Sequence, residues 1–517
     1  MDTVQKKREV IKYFLDRGVL VGADVLERIN DFEDPQELFN QITEHTSKDI
    51  LVANQETRSI EHQEDIDWQE MDRVRVLAEK EKASKAQQAT TNYDIDSPVK
   101  IVYSYKEDAR KKEVLDFVQH FNNRYKGLKN ILINRQELQS TTSINKLFLK
   151  KEKETVALVG MVLDKHLTKN GSYILTIEDP TGTTKAIVNK SKGEAMNIAK
   201  DIVHDEVIGM TGTIADKAIF INSIFLPDVP LTKELRKASE EVYAVTLSCV
   251  HVGSKLFIPD EFQRFIDWLG GKVGNEEQKH IASKVKYVFI TGDLVDGVGT
   301  YPKQEEELTI QDIYEQYSEF ARYLKQIPLD KRIILSPGNH DVVRIAEPQP
   351  PIYKEYAREL WDMPNVTMVS NPAMVNIHAK NGHPGFDVLV YHGFSYTYYA
   401  DKVEGIRMSG KNVSERIELI MRYLLQKRHL APTHASTQYV PDKIKDYLLI
   451  DKVPDIFLSG HIHKSSASSY RGVTLASGSC FQKKTDYMEK FGCEPDPGKV
   501  PLINLQTREV KLLKFGK

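Results

Sequence analysis

The sequence predicts a multidomain protein: a small helical amino-terminal module, an OB-fold β-barrel, and an α/β domain whose strands end in ligand-rich loops. Three observations predict it. At 517 residues the chain is longer than one hydrophobic core supports. From Thr155 to Leu226 the apolar residues recur at every second position, the period of half-buried strands. From residue 241 onward short apolar runs alternate with helical patterns, and five of those runs end in histidine, aspartate or asparagine.

Composition sets the class. Hydrophobic residues at 40% and charged residues at 28% describe an ordinary globular chain, and no apolar run approaches the ~18–20 residues that span a bilayer. The start, MDTVQKKREV, has charges where a signal peptide would be apolar. Three cysteines (Cys249, Cys480 and Cys493) form no CxxC pair and supply no disulfide framework, so the expected compartment is reducing and cytoplasmic, with no membrane partner. Lys and Arg (71) nearly balance Asp and Glu (74), for a net charge of −3. That balance argues against a freestanding nucleic-acid binder driven by charge and leaves room for a local basic surface.

The elements follow in order. Over residues 1–50, Val10, Ile11, Phe14 and Leu15 form a helical stripe that stops at Gly18, and two further stripes follow, a module that either docks on a partner or simply packs. Residues 51–100 hold many charges and few large apolar groups and read as a flexible charged tether. Residues 101–235 read as a helix plus barrel domain. After VKIVYSY, one helix face carries Val114, Phe117, Val118, Phe121, Tyr125 and Leu128. Five strands then follow, TVALVGMVLD, SYILTIED, TTKAIVNKS, DEVIGMTGTIAD and AIFINSIFL. The turn Asp179-Pro180-Thr181-Gly182 joins the second to the third, and the helix GEAMNIAKDIV precedes the fourth. That order is an OB-fold. Lys185, Lys190 and Lys192 are present, but Tyr173, Phe220 and Phe225 make a thin stacking platform, so the barrel reads as structural or protein-binding.

In residues 241–517 the chemistry lies just past the strands. YAVTLS runs into Cys249 and His251, YVFIT into Asp293 and Asp296, and RIILSP into Gly338, Asn339, His340 and Asp341. VLVY runs into His392, and IFLS into Gly460, His461, Ile462 and His463. Two divalent cations close together need a bridging carboxylate, which suits Asp293. His251, His392, His461 and His463 are neutral ligands, and Asn339 adds an amide oxygen. The two histidines of GHIH, two residues apart on an extended loop, diverge toward different metals. His340 is placed to protonate a leaving oxygen. Asp296 or Asp341 would orient an imidazole from behind. Each motif alone is a modest signal, since a histidine after a strand is more often a hydrogen-bonded core residue. The ordered set is specific.

That set, xxH, GDxxD, GNHD, H and GHxH, resembles the calcineurin-like metallophosphoesterase superfamily across residues 241–517. With the barrel before it, and with SCVHVGS, RHLAPTH, VPDIFLSGHIH and the ending KVPLINLQTREVKLLKF, the chain is similar to the small-subunit family of archaeal family D DNA polymerases. The resemblance implies a proofreading 3′-to-5′ exodeoxyribonuclease, bound in a heterodimer to a large polymerase subunit and acting on primer-template and single-stranded 3′ ends. It implies one metal held by His251, Asp293 and His463, a second held by Asp293, Asn339, His392 and His461, and His340 as general acid. The ions would be manganese or magnesium. In the superfamily's first motif, Asp-x-His, the aspartate position is Cys249 here, a softer ligand that suits zinc or iron at that site. Related eukaryotic B subunits keep the fold without metal ligands. The second reading is therefore a catalytically weakened scaffold that stabilises the large subunit, and a stand-alone phosphatase or nuclease is disfavoured by the barrel.

Overall fold

The computed structural model describes residues 99–516, apart from residues 108, 148, 216–217, 381, 486–487 and 490–492. The helical module expected over 1–50 and the tether expected up to residue 98 lie outside the described residues. The chain enters as strand β1 (Val99–Ser104) and helix α1 (Val114–Leu132). It then lays down β2 (Thr141–Thr142), β3 (Thr155–Leu167), β4 (Tyr173–Asp179) and β5 (Gly182–Val188). Helix α2 (Gly193–Lys200) precedes β6 (Val207–Ala215) and β7 (Ala218–Phe225).

Strands β3 to β7 close a five-stranded barrel in the order β3-β4-β5-β7-β6-β3. A bulge between Val162 and Asp164 bends the long β3, so that its first half pairs with β6 and its second half with β4. Leu158, Val162, Leu175, Ile177, Val188 and Met210 fill the interior. In the tight β4–β5 turn the Asp179 carboxylate accepts the Thr181 amide at 2.7 Å. The Lys165 ammonium caps the end of α2 on the carbonyls of Lys200 and Ile202, at 2.9 and 2.6 Å.

Next come β8 (Tyr243–Leu247), α3 (Pro259–Leu269), β9 (Val285–Thr291), α4 (Ile313–Leu324), β10 (Arg332–Ser336), β11 (Val366–Met368) and β12 (Ala373–Ile377). After β13 (Phe386–Val390) and α5 (Ile417–Lys427) the chain forms β14 (Ile456–Ser459), β15 (Ser466–Tyr470), β16 (Val473–Ser477), β17 (Lys499–Asn504) and β18 (Val510–Lys514). Two six-stranded sheets result, in the orders β1-β12-β13-β14-β16-β15 and β11-β10-β9-β8-β17-β18. Strands β8 to β11 are parallel to one another, as are β13, β14 and β16.

Alternation along each strand divides its side chains between two cores. In β9, Tyr287 and Phe289 face the other sheet and meet the Val388, Val390, Ile456 and Leu458 side of the shared core. Val288 and Ile290 point outward onto Phe262, Phe265 and Phe320 of α3 and α4. On the other sheet Leu389, Phe457 and Leu475 pack against Ile420, Leu424 and Leu425 of α5. The result is a helix–sheet–sheet–helix sandwich. Covered on both faces, its strands are apolar at nearly every position, which explains the unbroken runs in the sequence.

Two features differ from the sequence expectation. β1, grouped in sequence with the barrel segment, is an edge strand of the sandwich and pairs antiparallel with β12. Helix α1 turns its Val114, Phe117 and Val118 stripe to solvent and buries Asp116, His120 and Arg124 in its first half. An ion pair overrides amphipathicity there. Arg124, fully buried, donates through Nε to Asp446 at 2.8 Å and through Nη1 to the Pro432 carbonyl at 2.6 Å. His429, in the RHLAPTH segment, meets the same carboxylate at 2.8 Å. Further along, Tyr125, Leu128 and Leu132 pack with Val159, Met161 and Leu449, so α1 ties the barrel to the sandwich. A second buried pair, Lys427 to Glu206 at 2.7 Å, makes the same connection.

Burial, then the nearby Arg124 charge, push the His429 imidazole down to about 4, so Arg124 is the cation that balances Asp446 at neutral pH. Arg124→Met should cost about 3–5 kcal/mol, the price of an uncompensated buried carboxylate. The deficit should shrink from about pH 8 to about pH 6, as His429 takes up a proton in place of the missing charge. Urea unfolding of both proteins at the two pH values checks this; a loss that is negligible at both contradicts it.

Candidate metal centre

Five loops leave the carboxyl ends of β8, β9, β10, β13 and β14 and converge, as ligand-binding loops of parallel sheets do. Cys249, His251, Asp293, His461 and His463 all have left-handed backbones, with φ of 52°, 54°, 53°, 67° and 58°. Each such position costs about 1 kcal/mol or more and persists because the surrounding packing imposes it. The loops touch at backbone distance. A Cβ on Gly338 would fall 2.3 Å from Asp293 Oδ1, and one on Gly460 would fall 2.4 Å from Ser248 Cβ.

Two groups of donor atoms share Asp293, and a third, of His251, Asp296 and His340, adjoins the first through His251. Cys249, His251, Asp293 and His463 place ligand atoms within 4.8 Å of one another, and so do Asp293, His392 and His461. Asn339 joins the second group, its Oδ1 3.0 Å from His392 Nε2. Asp293 Oδ2 lies 3.1 Å from His392 Nε2, 3.8 Å from His251 Nε2 and 3.9 Å from Cys249 Sγ. The two histidines of GHIH separate, one to each group. Cys249 turns its sulfur into the centre rather than into the apolar layer below.

Hydrogen bonds fix the tautomers. His392 Nδ1 donates to the Thr291 carbonyl at 2.8 Å, which leaves Nε2 as a lone pair facing the oxygens of Asp293 and Asn339. His251 Nδ1 donates to Asp296 Oδ1 at 3.0 Å, which leaves its Nε2 facing His463 Nε2 at 3.2 Å. Acceptors therefore crowd against acceptors, at separations near the ~3 Å between adjacent ligands of one ion with ~2.1 Å bonds. The His463 Nδ1 is buried with no hydrogen-bond partner among the described residues. The arrangement fits a pair of cations.

The local charges say the same. Burial opposes protonation of His392 and His251, yet Asp293 beside the first and Asp296 beside the second hold both imidazoles above their ordinary range. Burial likewise opposes ionisation of Asp293, but the His392 and His340 rings hold its carboxyl well below the usual range. Positive charge is in demand around this carboxylate. His461, whose neighbours are mostly other imidazoles, is pushed by burial down to about 3 and stays neutral, as a ligand must. Burial and Asp293 push the Cys249 thiol well above its ordinary range.

Of the residues expected behind the ligands, Asp296 orients an imidazole, that of His251. Asp341 does not. Its carboxylate accepts the Gly338 amide at 2.8 Å and the Tyr317 hydroxyl at 2.9 Å, and so braces the GNHD turn. Burial and Asp293 push it up to about 7. His340 donates its backbone amide to Asp293 Oδ1 at 2.9 Å, and its Nδ1 bonds the Asp296 carbonyl at 2.8 Å.

The sequence comparisons agree with this geometry. The calcineurin-like phosphoesterase family profile matches residues 245–465. The DNA polymerase II small subunit of Methanothermobacter thermautotrophicus is 35% identical over 514 residues, 98% of this chain and 100% of that protein. The chain belongs to the DNA polymerase II small-subunit family. The small subunit of Archaeoglobus fulgidus is 37% identical, covering 78% of each chain, and that of Methanocaldococcus jannaschii is 42% identical over 75% of this chain and 64% of its own length. Within this family the phosphoesterase-like domain implies divalent metals. Among the described residues no helix is long and apolar enough to cross a membrane.

Sequence reasoning misses the residues that hold Asp296. Gln304 Nε2 donates to its carboxylate at 3.0 Å and Gln482 Nε2 at 3.1 Å, and both glutamines are buried. Gln304 sits in an acidic run, QEEE, and Gln482 in FQKK, so neither carries a spacing signal. Asn371, whose Oδ1 accepts the His392 amide at 2.8 Å, is equally silent.

Asn339→Ala and His461→Ala each remove a donor from the Asp293–His392 group while leaving the cores intact. Each variant should keep its thermal stability and bind one manganese ion about 100-fold more weakly or worse, beyond the effect of losing a supporting partner. Titration calorimetry checks the stoichiometry; uptake equal to the parent's contradicts the grouping.

Proposed function

We propose that this chain is a divalent-metal-dependent 3′-to-5′ exodeoxyribonuclease, the proofreading subunit of a heterodimeric replicative DNA polymerase. The observation that carries the reading is the crowding of lone pairs on both sides of Asp293 Oδ2, at 3.1 Å from His392 Nε2 and 3.8 Å from His251 Nε2. His251, Asp293 and His463, with Cys249 beside them, would hold one cation, and Asp293, Asn339, His392 and His461 the other. When bound, the pair would supply Lewis acidity toward the phosphoryl oxygens and lower the pKa of a nucleophilic water.

The chain's own groups do the rest. Asp293 offers Oδ2 to both sides because Oδ1 is occupied by the His340 amide. Asp296, held by two glutamines, keeps the His251 proton on Nδ1 and its ring in place. His340 donates through Nδ1 to the Asp296 carbonyl, and burial lowers its pKa, so its Nε2 must first take up a proton before it can give one to the 3′-oxygen that leaves phosphorus on the shortened strand. A sugar alkoxide is a poor leaving group, so that proton matters.

The partner of this subunit would be a large polymerase subunit, as the relatives' name, small subunit, suggests. A net charge of −3 supports the reading that most of the DNA grip lies with that partner. Manganese or magnesium fits the oxygen and imidazole donors, and the Cys249 sulfur draws its side of the centre toward zinc or iron.

Cys249 also favours the second reading, a scaffold that stabilises the large subunit with weakened catalysis. Its buried thiol stands where the superfamily has a carboxylate, and sulfur is a soft donor that matches hard ions poorly. One assay addresses both readings: hydrolysis of 3′-mismatched primers with Mn²⁺ or Mg²⁺, by the chain with and without its large subunit. Mismatched ends should shorten one nucleotide at a time, only with metal, and absence of any shortening in the complex contradicts the nuclease reading. Cys249→Asp should raise the Mg²⁺-supported rate about tenfold, equivalent to ~1.4 kcal/mol of transition-state stabilisation, whereas Cys249→Ala should change it little. No gain from the aspartate in any metal contradicts the missing-ligand account.

A further inference from the structure

We propose that Phe394 is the platform on which the base of the strand's terminal nucleotide stacks while its phosphodiester lies at the Asp293 centre. The inference deepens the nuclease reading and rests on it. Phe394 follows His392 by two residues, and its ring centroid stands 5.5 Å from that of His461, tilted by 56°. It is half-buried. Of the other aromatics of this stretch, Tyr391, Tyr396 and Tyr399 are fully buried in the helical layer, and the partly buried Tyr398 packs against the same layer. Phe394 is in none of the packed cores of the described residues.

The ring also has a rigid base. Gly393 turns the chain with φ of 113°, where a Cβ would come within 3.1 Å of Ser459 Oγ. On the other side the buried Ser395 hydroxyl donates to the Leu430 carbonyl at 2.8 Å and accepts from the Tyr391 hydroxyl at 3.0 Å. Packing has therefore fixed an apolar ring at the rim of a phosphoryl-binding centre without burying it. A phenyl ring offers neither metal ligation nor hydrogen bonds. It does offer a flat face, and every nucleobase has a π-face to match it.

Chemistry selects this occupant. A nucleotide's base stands one sugar ring from its phosphorus, and Phe394 stands one ring contact from His461. A proofreading site must accept any of the bases, and stacking is indifferent to base identity where hydrogen bonds to base edges are not. A paired terminal base is held in its duplex, whereas a mismatched one leaves it at little cost. Phe394 would thus favour frayed, mispaired ends without reading their sequence.

The test uses the full-length chain in complex with its large subunit, a single-stranded oligonucleotide with 2-aminopurine as its 3′-terminal base, and Ca²⁺ to hold it uncleaved. The parent and Phe394→Tyr should quench the fluorescence on binding. Phe394→Ala should lose the quench and bind about tenfold more weakly, the scale of one base–aromatic stack. With Mn²⁺, the alanine variant should show a raised KM more than a lowered kcat on the same strand, and no disadvantage on an oligonucleotide with an abasic 3′ end. No quench in the parent, or an equal quench and affinity in Phe394→Ala, overturns the proposal. A parent that quenches but cleaves under no metal leaves the stacking and removes the nuclease reading. A parent that cleaves normally with quenching unaltered by the alanine leaves the nuclease and removes the stacking.

Discussion

Everything in the centre depends on one buried carboxylate oxygen, Asp293 Oδ2, and on what can share it. Its partner oxygen is fixed by the His340 amide at 2.9 Å. Around Oδ2 the protein gathers imidazole nitrogens and an amide oxygen whose protons already point elsewhere, to Thr291 from His392 and to Asp296 from His251. Lone pairs that face each other in a dry site repel unless positive charge lies between them. The raised pKa values of His251 and His392, held up by Asp296 and Asp293, express the same demand for positive charge. Cations answer it better.

The sandwich makes this gathering possible. Two sheets share a core of interleaved aliphatic and aromatic side chains, and the ends of their parallel strands come together at one edge. The ligand loops can then be short, and short loops fix side chains in place. Left-handed turns at five of the ligand-bearing positions are the local cost, which the cores offset. The barrel meets the sandwich through other residues, with Arg124 on Asp446 and Lys427 on Glu206 both buried.

Much of this is legible from residues alone, for a physical reason. Strands buried on both faces must be apolar throughout, so β8, β9, β10, β13 and β14 stand out, and the polar residues just beyond them stand out against that background. What stays hidden comes from contacts distant in sequence. The pairing of β1 with β12 joins residues more than 250 positions apart. The rotation of α1 depends on a buried ion pair to Asp446, which no helical periodicity records. Gln304, Gln482 and Asn371 support the ligands through single hydrogen bonds that no motif spacing marks. Asp341 is legible as important, but its task, bracing a turn, differs from orienting an imidazole because its oxygens reach backbone amides and Tyr317.

Cys249 is where the fold and the chemistry diverge. The loop that carries it keeps the geometry of a ligand loop, and the sulfur sits among His251, Asp293 and His463. The central claim, that Asp293 is shared by two cations, is tested most directly by anomalous diffraction from crystals of the chain soaked in Mn²⁺. Two anomalous peaks should flank the Asp293 carboxylate, one toward His251 and His463 and one toward Asn339, His392 and His461. A single peak on either side, or none while the loops keep their positions, would contradict it.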